Sequence, residues 1–213
     1  AGVGPQIVAA VTAGQYRAAS LADSYVDDVT GEQGIDAPAV GAVDAAVFAA
    51  SAADGRSLAT LLREPIITAK VGIGEGLPVE LARQRATNQL LMLSQVTVQD
   101  TGRAAVGAAT VARPKLTGYV RMLTPPSCAR CVILAGRVYR WSSWFPRHDR
   151  CDCRHIPTVE NVAGDLTTDP DAYLASLGQD GRERVLGKAA ARAVEDGADL
   201  NRVEATRERR VAD

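Results

Sequence analysis

The feature that most constrains the fold is a long stretch without proline, from Val79 to Arg113, which Pro114 ends. Only Gly102 and Gly107 weaken its helix-favouring sequence. One helix over this stretch would be about 50 Å long, which is unusual in a chain of 213 residues. Its best face is only moderately apolar, so we expect it to pack against another subunit or to span two lobes. The alternative is the central helix of an ordinary bundle.

Composition favours helices over sheets. The chain is 46% hydrophobic, but much of this is alanine, and it contains 5 Tyr, 2 Trp and 2 Phe. We therefore predict a mainly α fold of Ala-rich helices with one long central helix and a small β-hairpin and zinc-knuckle insert. The formal net charge of −1 gives no argument for a polyanion ligand. No apolar run of about 18 residues predicts a membrane span, and the N-terminus lacks the pattern of a signal peptide.

The periodicity of apolar residues and the position of the cysteines divide the chain into three regions. Residues 1–114 form a helical region, 115–160 a small β and metal-binding knuckle, and 161–213 a C-terminal helical region expected to be compact with the knuckle. Periodicity predicts shorter helices over 5–26, 39–53, 57–67 and 182–196. Pro65 is expected to break or kink the helix over 57–67. Alternation predicts strands over 116–123 and 137–141. Helix is expected again after residue 157, with Thr168-Asp169-Pro170 as an N-terminal signal. Because the chain begins at Ala1 and ends near the charged Arg207–Arg210, we expect both ends to continue in a larger protein.

All four cysteines and both histidines lie between residues 128 and 155. Cys-x₂-Cys followed by His-x₂-Cys-x-Cys is a spacing that tetrahedral zinc accepts. The pattern therefore predicts one structural metal site, most simply Zn²⁺, with more candidate ligands than positions. The candidates are Cys128, Cys131, His148, Cys151 and Cys153. His155 is the least favoured candidate, and which four bind the metal stays open.

Two alternatives to a structural metal are two disulfides and reduced, unligated thiols. A Cys128–Cys131 disulfide would close a very small loop and constrain little. A catalytic zinc keeps an open position and commonly has a neighbouring glutamate base. No glutamate occurs between Ala129 and Ile156, so a closed structural site is expected.

Basic and aromatic residues surround the predicted knuckle. They form a candidate surface for nucleic acid or for a protein partner, because aromatic rings stack on bases and Trp and Arg dominate protein interfaces. The alternative is that the aromatic residues simply cover the metal hairpin. The candidate contact residues are Arg137, Arg140, Trp141, Trp144, Arg147, Arg150 and Arg154.

The motif from Cys128 to Pro157, with Gly136 and Tyr139 inside it, resembles the minor head proteins of tailed phages. The resemblance is to the Mu F-like group, especially its form in phages of actinobacteria, and it extends to the segment Arg184–Asp199. It implies a virion protein inside the capsid, made in the host bacterial cytoplasm and present in multiple copies. It also implies partners: the portal protein, other capsid proteins and packaged double-stranded DNA. The same five Cys and His candidates carry over as the metal set.

The resemblance implies no established chemistry, so no enzyme activity and no catalytic residue are predicted. One alternative is a capsid maturation protease, or a nuclease or transferase toxin domain. A Ser–His pair would have to use His148 or His155, which are both in the metal region. Another alternative is a separate zinc-knuckle module that binds nucleic acid, whose binding would depend steeply on salt.

Overall fold

The computed structural model of the protein describes residues 3–143, 153–159, 169–200 and 202–203. Within these ranges the fold is mainly α, with a long central helix and a small antiparallel sheet, as predicted. The helices are α1 (Val3–Ser20), α2 (Ala22–Glu32), α3 (Leu58–Leu61), α4 (Glu64–Gly74), α5 (Val79–Val111), α6 (Ala129–Ile133), α7 (Pro170–Ser176), α8 (Gly178–Leu186) and α9 (Lys188–Glu195). The strands are β1 (Gly118–Met122), β2 (Val138–Arg140) and β3 (Arg154–Thr158).

The chain divides into two compact units. The helical unit contains Ala1–Asp28 and Ala37–Pro114, and the sheet unit contains Val29–Asp36 and Lys115–Asp213. The predicted regions 115–160 and 161–213 thus fall within the same unit.

In the helical unit, α1 and α4 pack along α5, and α1 also contacts α3 and a 3₁₀ turn at Ala45–Phe48. Small residues allow a close approach, since a Cβ atom at Gly14 would lie 3.0 Å from Val98 of α5. Ala105 and Ala109 are fully buried on α5. The unit therefore has a thin core of small side chains, as the alanine content suggests.

A buried amide joins three parts of this unit. Gln15 of α1 is fully buried, and its Nε2 donates to the backbone oxygen of Ser51 at 2.7 Å and to Oγ1 of Thr101 at 2.9 Å. Its Oε1 accepts a 2.9 Å bond from the backbone N–H of Ala50. Ala50 has a φ of 66°, a left-handed conformation that costs a non-glycine residue free energy. The Gln15 side chain therefore holds a strained turn against α1 and α5.

Two predictions in this region are wrong. The helix expected over 39–53 is replaced by the 3₁₀ turn, because Val40 N–H bonds to the carbonyl of Ala112 and Val43 N–H to the Asp23 carboxylate. These tertiary bonds override the helix propensity of alanine. The helix expected over 5–26 is two helices, α1 and α2, which meet at Leu21.

The stretch 57–67 is broken just before Pro65, which is one of the two outcomes expected there. Pro65 lies in the first turn of α4, where a missing N–H is tolerated. Ser57 caps α3 by accepting a hydrogen bond from Thr60 N–H. The segment therefore forms two helices.

The sheet unit has strand order β2-β1-β3, with both pairs antiparallel. β3 was not predicted, and its Pro157 explains why, since proline is confined to edge strands. Gln33 lies on that edge: its Nε2 donates to the Pro157 carbonyl at 2.8 Å, and its Oε1 accepts from Thr158 Oγ1 at 2.9 Å. The edge of β3 is thus covered by a side-chain amide.

The helices of the sheet unit share one apolar cluster with the sheet. Asp169 caps α7 as predicted, accepting bonds from two backbone N–H groups. The single helix predicted over 182–196 is wrong, because Gly187, at a φ of 83°, separates α8 from α9. Such a conformation suits glycine and ends a helix.

Replacing Gln15 by Leu should lower the free energy of unfolding by about 1–3 kcal/mol, because it leaves the Ala50 N–H and Ser51 carbonyl without their partner. Urea unfolding followed by circular dichroism at 222 nm measures the change. The matched control is Gln95→Leu at an exposed position of α5, which should stay within about 0.5 kcal/mol. Equal effects in the two variants would contradict the role assigned to Gln15.

Candidate metal centre

Three of the five predicted ligands lie within the described residues: Cys128, Cys131 and Cys153. His148 and Cys151 lie outside them. The same applies to the predicted contact surface, of which Arg137, Arg140, Trp141 and Arg154 are described, whereas Trp144, Arg147 and Arg150 are not.

The first cysteine pair is held by the start of α6. Cys128 is the N-cap residue, with an extended backbone, and its Sγ accepts a hydrogen bond from Cys131 N–H at 3.5 Å. Cys128 is exposed, whereas Cys131 is 2% exposed and belongs to the apolar cluster of the unit. The Cys-x₂-Cys spacing therefore places one sulfur at the surface and the other in the core.

A buried arginine connects Cys131 to Cys153. Arg121 of β1 is fully buried, and its Nη1 lies 3.8 Å from Cys131 Sγ and 3.6 Å from Cys153 Sγ. Cys153 directly precedes β3 and is 1% exposed. The sulfurs from α6 and from the start of β3 are thus within reach of one guanidinium nitrogen.

These contacts fit a thiolate metal site. Metal-bound sulfurs and carboxylates commonly accept hydrogen bonds from surrounding N–H groups, which orient them. Here the backbone of Cys131 donates to Cys128, and Arg121 donates to the other two sulfurs. Among the described residues, no group of three or more Cys, His, Asp or Glu side chains is arranged to hold a metal ion. A four-coordinate site would therefore need ligands from the segment with His148 and Cys151.

His155 takes part in a stack of rings. Its ring lies 4.5 Å from that of Tyr119, with 16° between the planes, and Tyr119 stacks in turn on Tyr139 at 5.8 Å. The Arg121 guanidinium carbon lies 6.0 Å from the centre of the Tyr139 ring, within the range of a cation–π contact. Arg121 lies directly opposite His155 in the register of β1 and β3, and directly opposed side chains share one face of a sheet. The ring stack and the guanidinium therefore lie on the same face.

Arg121 is the site residue that the motif alone does not reveal. The available signal is alternation: Tyr119, Arg121 and Leu123 are two residues apart, so an extended backbone places all three on one face. Tyr119 and Leu123 are buried, and this places the arginine in the core with them. An arginine between two inward-facing apolar residues indicates a buried counter-charge or hydrogen-bond acceptor.

The candidate contact surface is solvent-exposed where the structure describes it. Arg137, Arg140 and Arg154 are exposed, and Trp141 is 57% exposed. Tyr139, by contrast, is partly buried and packs against the apolar cluster. The tyrosine therefore covers the core, while Trp141 and the arginines remain accessible. No helix in the described part of the chain is long and apolar enough to cross a membrane.

The fold and the site define a mainly α protein with a small antiparallel sheet in which cysteines converge on a buried arginine. A comparison with known families matches residues 10–177 to the VG15 protein family. The chain belongs to this family and is a phage protein. No curated protein and no solved structure gives a match.

Gly118→Ala should disrupt the strand that carries Arg121. A Cβ atom there would lie 2.1 Å from the Tyr139 carbonyl oxygen, so β1 and β2 would have to separate. We expect the free energy of unfolding of the sheet unit to fall by about 1–3 kcal/mol. Trp141 lies in this unit and Trp144 follows it closely in the sequence, so tryptophan fluorescence during urea unfolding reports on the unit.

The control for this prediction is Gly31→Ala in the same unit. Gly31 lies in α2, and a Cβ atom there meets nothing within 4 Å. This change should be neutral or stabilise by up to about 1 kcal/mol. A Gly118→Ala protein as stable as Gly31→Ala would contradict the close strand contact.

Proposed function

We propose that this phage protein is a minor capsid protein of the Mu F-like type, acting in head morphogenesis inside the head of a tailed phage. Membership of the VG15 family supports its phage origin. The motif from Cys128 to Pro157 supports the finer assignment through its resemblance to minor head proteins. The protein is made in the host cytoplasm, is incorporated in multiple copies, and associates with the portal and other capsid proteins.

The observation that carries a structural role is the convergence of Cys131, Cys153 and Arg121 in the core of the sheet unit. A bound Zn²⁺ would supply bonds between α6 and the start of β3. Because such a site does not exist in the unfolded chain, these bonds would contribute folding free energy. The ligands we propose are four of the set Cys128, Cys131, His148, Cys151 and Cys153.

Burial favours this structural role over catalysis. Cys131 and Cys153 are 2% and 1% exposed, so a substrate has almost no access to their sulfurs. Catalytic zinc needs an accessible position for water or substrate. We therefore propose no enzyme activity for the chain, neither as a maturation protease nor as a nuclease or transferase.

The exposed part of the sheet unit offers the partner surface. Arg137 and Arg140 carry positive charge on either side of Tyr139, and Trp141 presents its ring to solvent. Arginine and tryptophan can contact phosphates and bases, and both are enriched at the energetic centres of protein interfaces. We assign this surface to contacts with the portal or with packaged double-stranded DNA.

Quantitative mass spectrometry of purified particles of the phage that encodes the chain tests its location. We expect the chain in intact virions at a copy number far below that of the major capsid protein. External protease should leave it uncleaved in intact particles and cleave it after the capsid is disrupted. Absence from purified virions, or digestion in intact particles, would overturn the capsid-interior assignment.

The purified chain should contain about one zinc ion per molecule by elemental analysis. Cys131→Ser and Cys153→Ser should each lose the metal and lower the denaturant midpoint of tryptophan fluorescence. The control is Ala135→Ser, which places a hydroxyl in the same buried cluster without removing a sulfur, and which should retain the metal. Metal-free protein with oxidised thiols in a thiol titration would show that disulfides hold the site instead.

A further inference from the structure

An apolar groove crosses the surface of the helical unit between α1, α4 and α5. Its volume is about 880 Å³. On the α5 side it extends from Val79 to Leu90, which is about 16 Å or three helical turns. Aliphatic side chains from all three helices and from α3 form its walls, and these include Ile7, Val8, Leu62, Ile66, Ile73 and Leu90.

The helix that forms one wall is apolar on several sides. α4 packs along α5, yet Ile66 is 55% exposed, and Ile67, Val71 and Ile73 are also exposed. At the start of α5, Val79 is 65% exposed. A helix that is apolar all round is normally buried, and a continuous apolar patch normally marks an interaction site. The groove therefore has the character of a surface that another element covers.

The charges on the groove have one sign. The charged residues that line it are Arg63, Lys70 and Arg83, and no carboxylate lines it. Arg83 is ion-paired with Glu80, and the hydrogen bond from Arg83 lowers the pKa of the Glu80 carboxyl, so that pair is close to neutral. Arg63 and Lys70 form no ion pair with another described residue. They are seven residues apart, so they lie along the same edge of α4.

We propose that this groove binds an amphipathic helix of another protein, with an apolar stripe that enters the groove and carboxylates that face Arg63 and Lys70. The groove length matches about three turns of such a helix, and helix-in-groove binding uses apolar anchors at this spacing. The carboxylates would complement the cations along the α4 edge and favour this partner over a basic one. This site is separate from the candidate metal centre and does not depend on the proposed role in the phage head.

A second copy of the chain is a poorer occupant. Among the helices that the structure describes, α2 is strongly acidic, with Asp23, Asp27, Asp28 and Glu32. Its apolar face is already used, since Ala22 and Val26 are buried. α2 would therefore have to leave its own core to enter the groove of another copy.

Fluorescence anisotropy with the full chain tests the proposal. The probe is a labelled synthetic helical peptide of about 15 residues, with leucines at i, i+3, i+4 and i+7 spacing and glutamates beside them. The matched probe has lysine at every glutamate position. We expect saturable binding of the acidic peptide, at least about tenfold tighter than that of the basic peptide and weaker at high salt.

Four variants separate the apolar and charge contributions. Ile66→Asn should weaken binding of the acidic peptide at least about tenfold, and the double variant Arg63→Glu, Lys70→Glu should reverse the preference between the two peptides. Val47→Asn and Arg85→Glu alter exposed residues that do not line the groove, and should leave binding unchanged. All substituted side chains are exposed, and circular dichroism checks that each variant is folded.

Either of two results would overturn the proposal. One is the absence of saturable binding, or equal affinity for the acidic and basic peptides. The other is self-association of the chain alone in analytical ultracentrifugation that Ile66→Asn abolishes, which would assign the groove to a second copy.

Discussion

The sheet unit depends on the buried charge of Arg121. A guanidinium in a protein core destabilises the fold strongly unless its N–H groups have acceptors. Arg121 is fully buried, and its Nη1 faces the sulfurs of Cys131 and Cys153. Acceptors from two other elements, Cys131 of α6 and Cys153 before β3, therefore lie against one side chain of β1. The Tyr139 ring lies 6.0 Å from the guanidinium carbon and stacks on Tyr119, which in turn stacks on His155.

The helical unit also contains buried polar side chains, and their hydrogen bonds come from several residues instead of one. Its helices are rich in small residues and approach closely, so the core contains little apolar volume and several buried polar groups. The Gln15 amide and the Arg113 guanidinium are both buried; Arg113 donates to the carboxylates of Asp23 and Asp27. On α5, the hydroxyl groups of Thr97 and Thr101 donate hydrogen bonds to backbone carbonyls one helical turn earlier. Small aliphatic side chains alone would determine only weakly how these helices pack. The specific hydrogen bonds of the buried polar groups determine it more closely.

Short-range sequence signals correctly predicted the elements whose conformation depends on neighbouring residues. The run before Pro114 predicted α5, alternation predicted β1 and β2, and Asp169 before a proline predicted the start of α7. The error over 39–53 occurred because distant groups decide the conformation there, since Val40 and Val43 bond to residues far along the chain. The error over 182–196 overlooked a local signal, the glycine at position 187. The cysteine pattern identified the candidate site, and Cys128, Cys131 and Cys153 are placed around β1 and α6. Arg121 could not be assigned from spacing, because its role depends on which sulfurs the fold brings to it.

The charge of Arg121 also bears on the composition of the proposed zinc site. Zn²⁺ with four thiolates has a net charge of −2, whereas three thiolates and one neutral imidazole give −1. Burying a net charge is unfavourable, and one adjacent guanidinium offsets one negative charge. With Arg121 beside two of the sulfurs, a set of three cysteines and one histidine is the neutral combination. Electrostatics therefore favours a histidine as the fourth ligand of the proposed site.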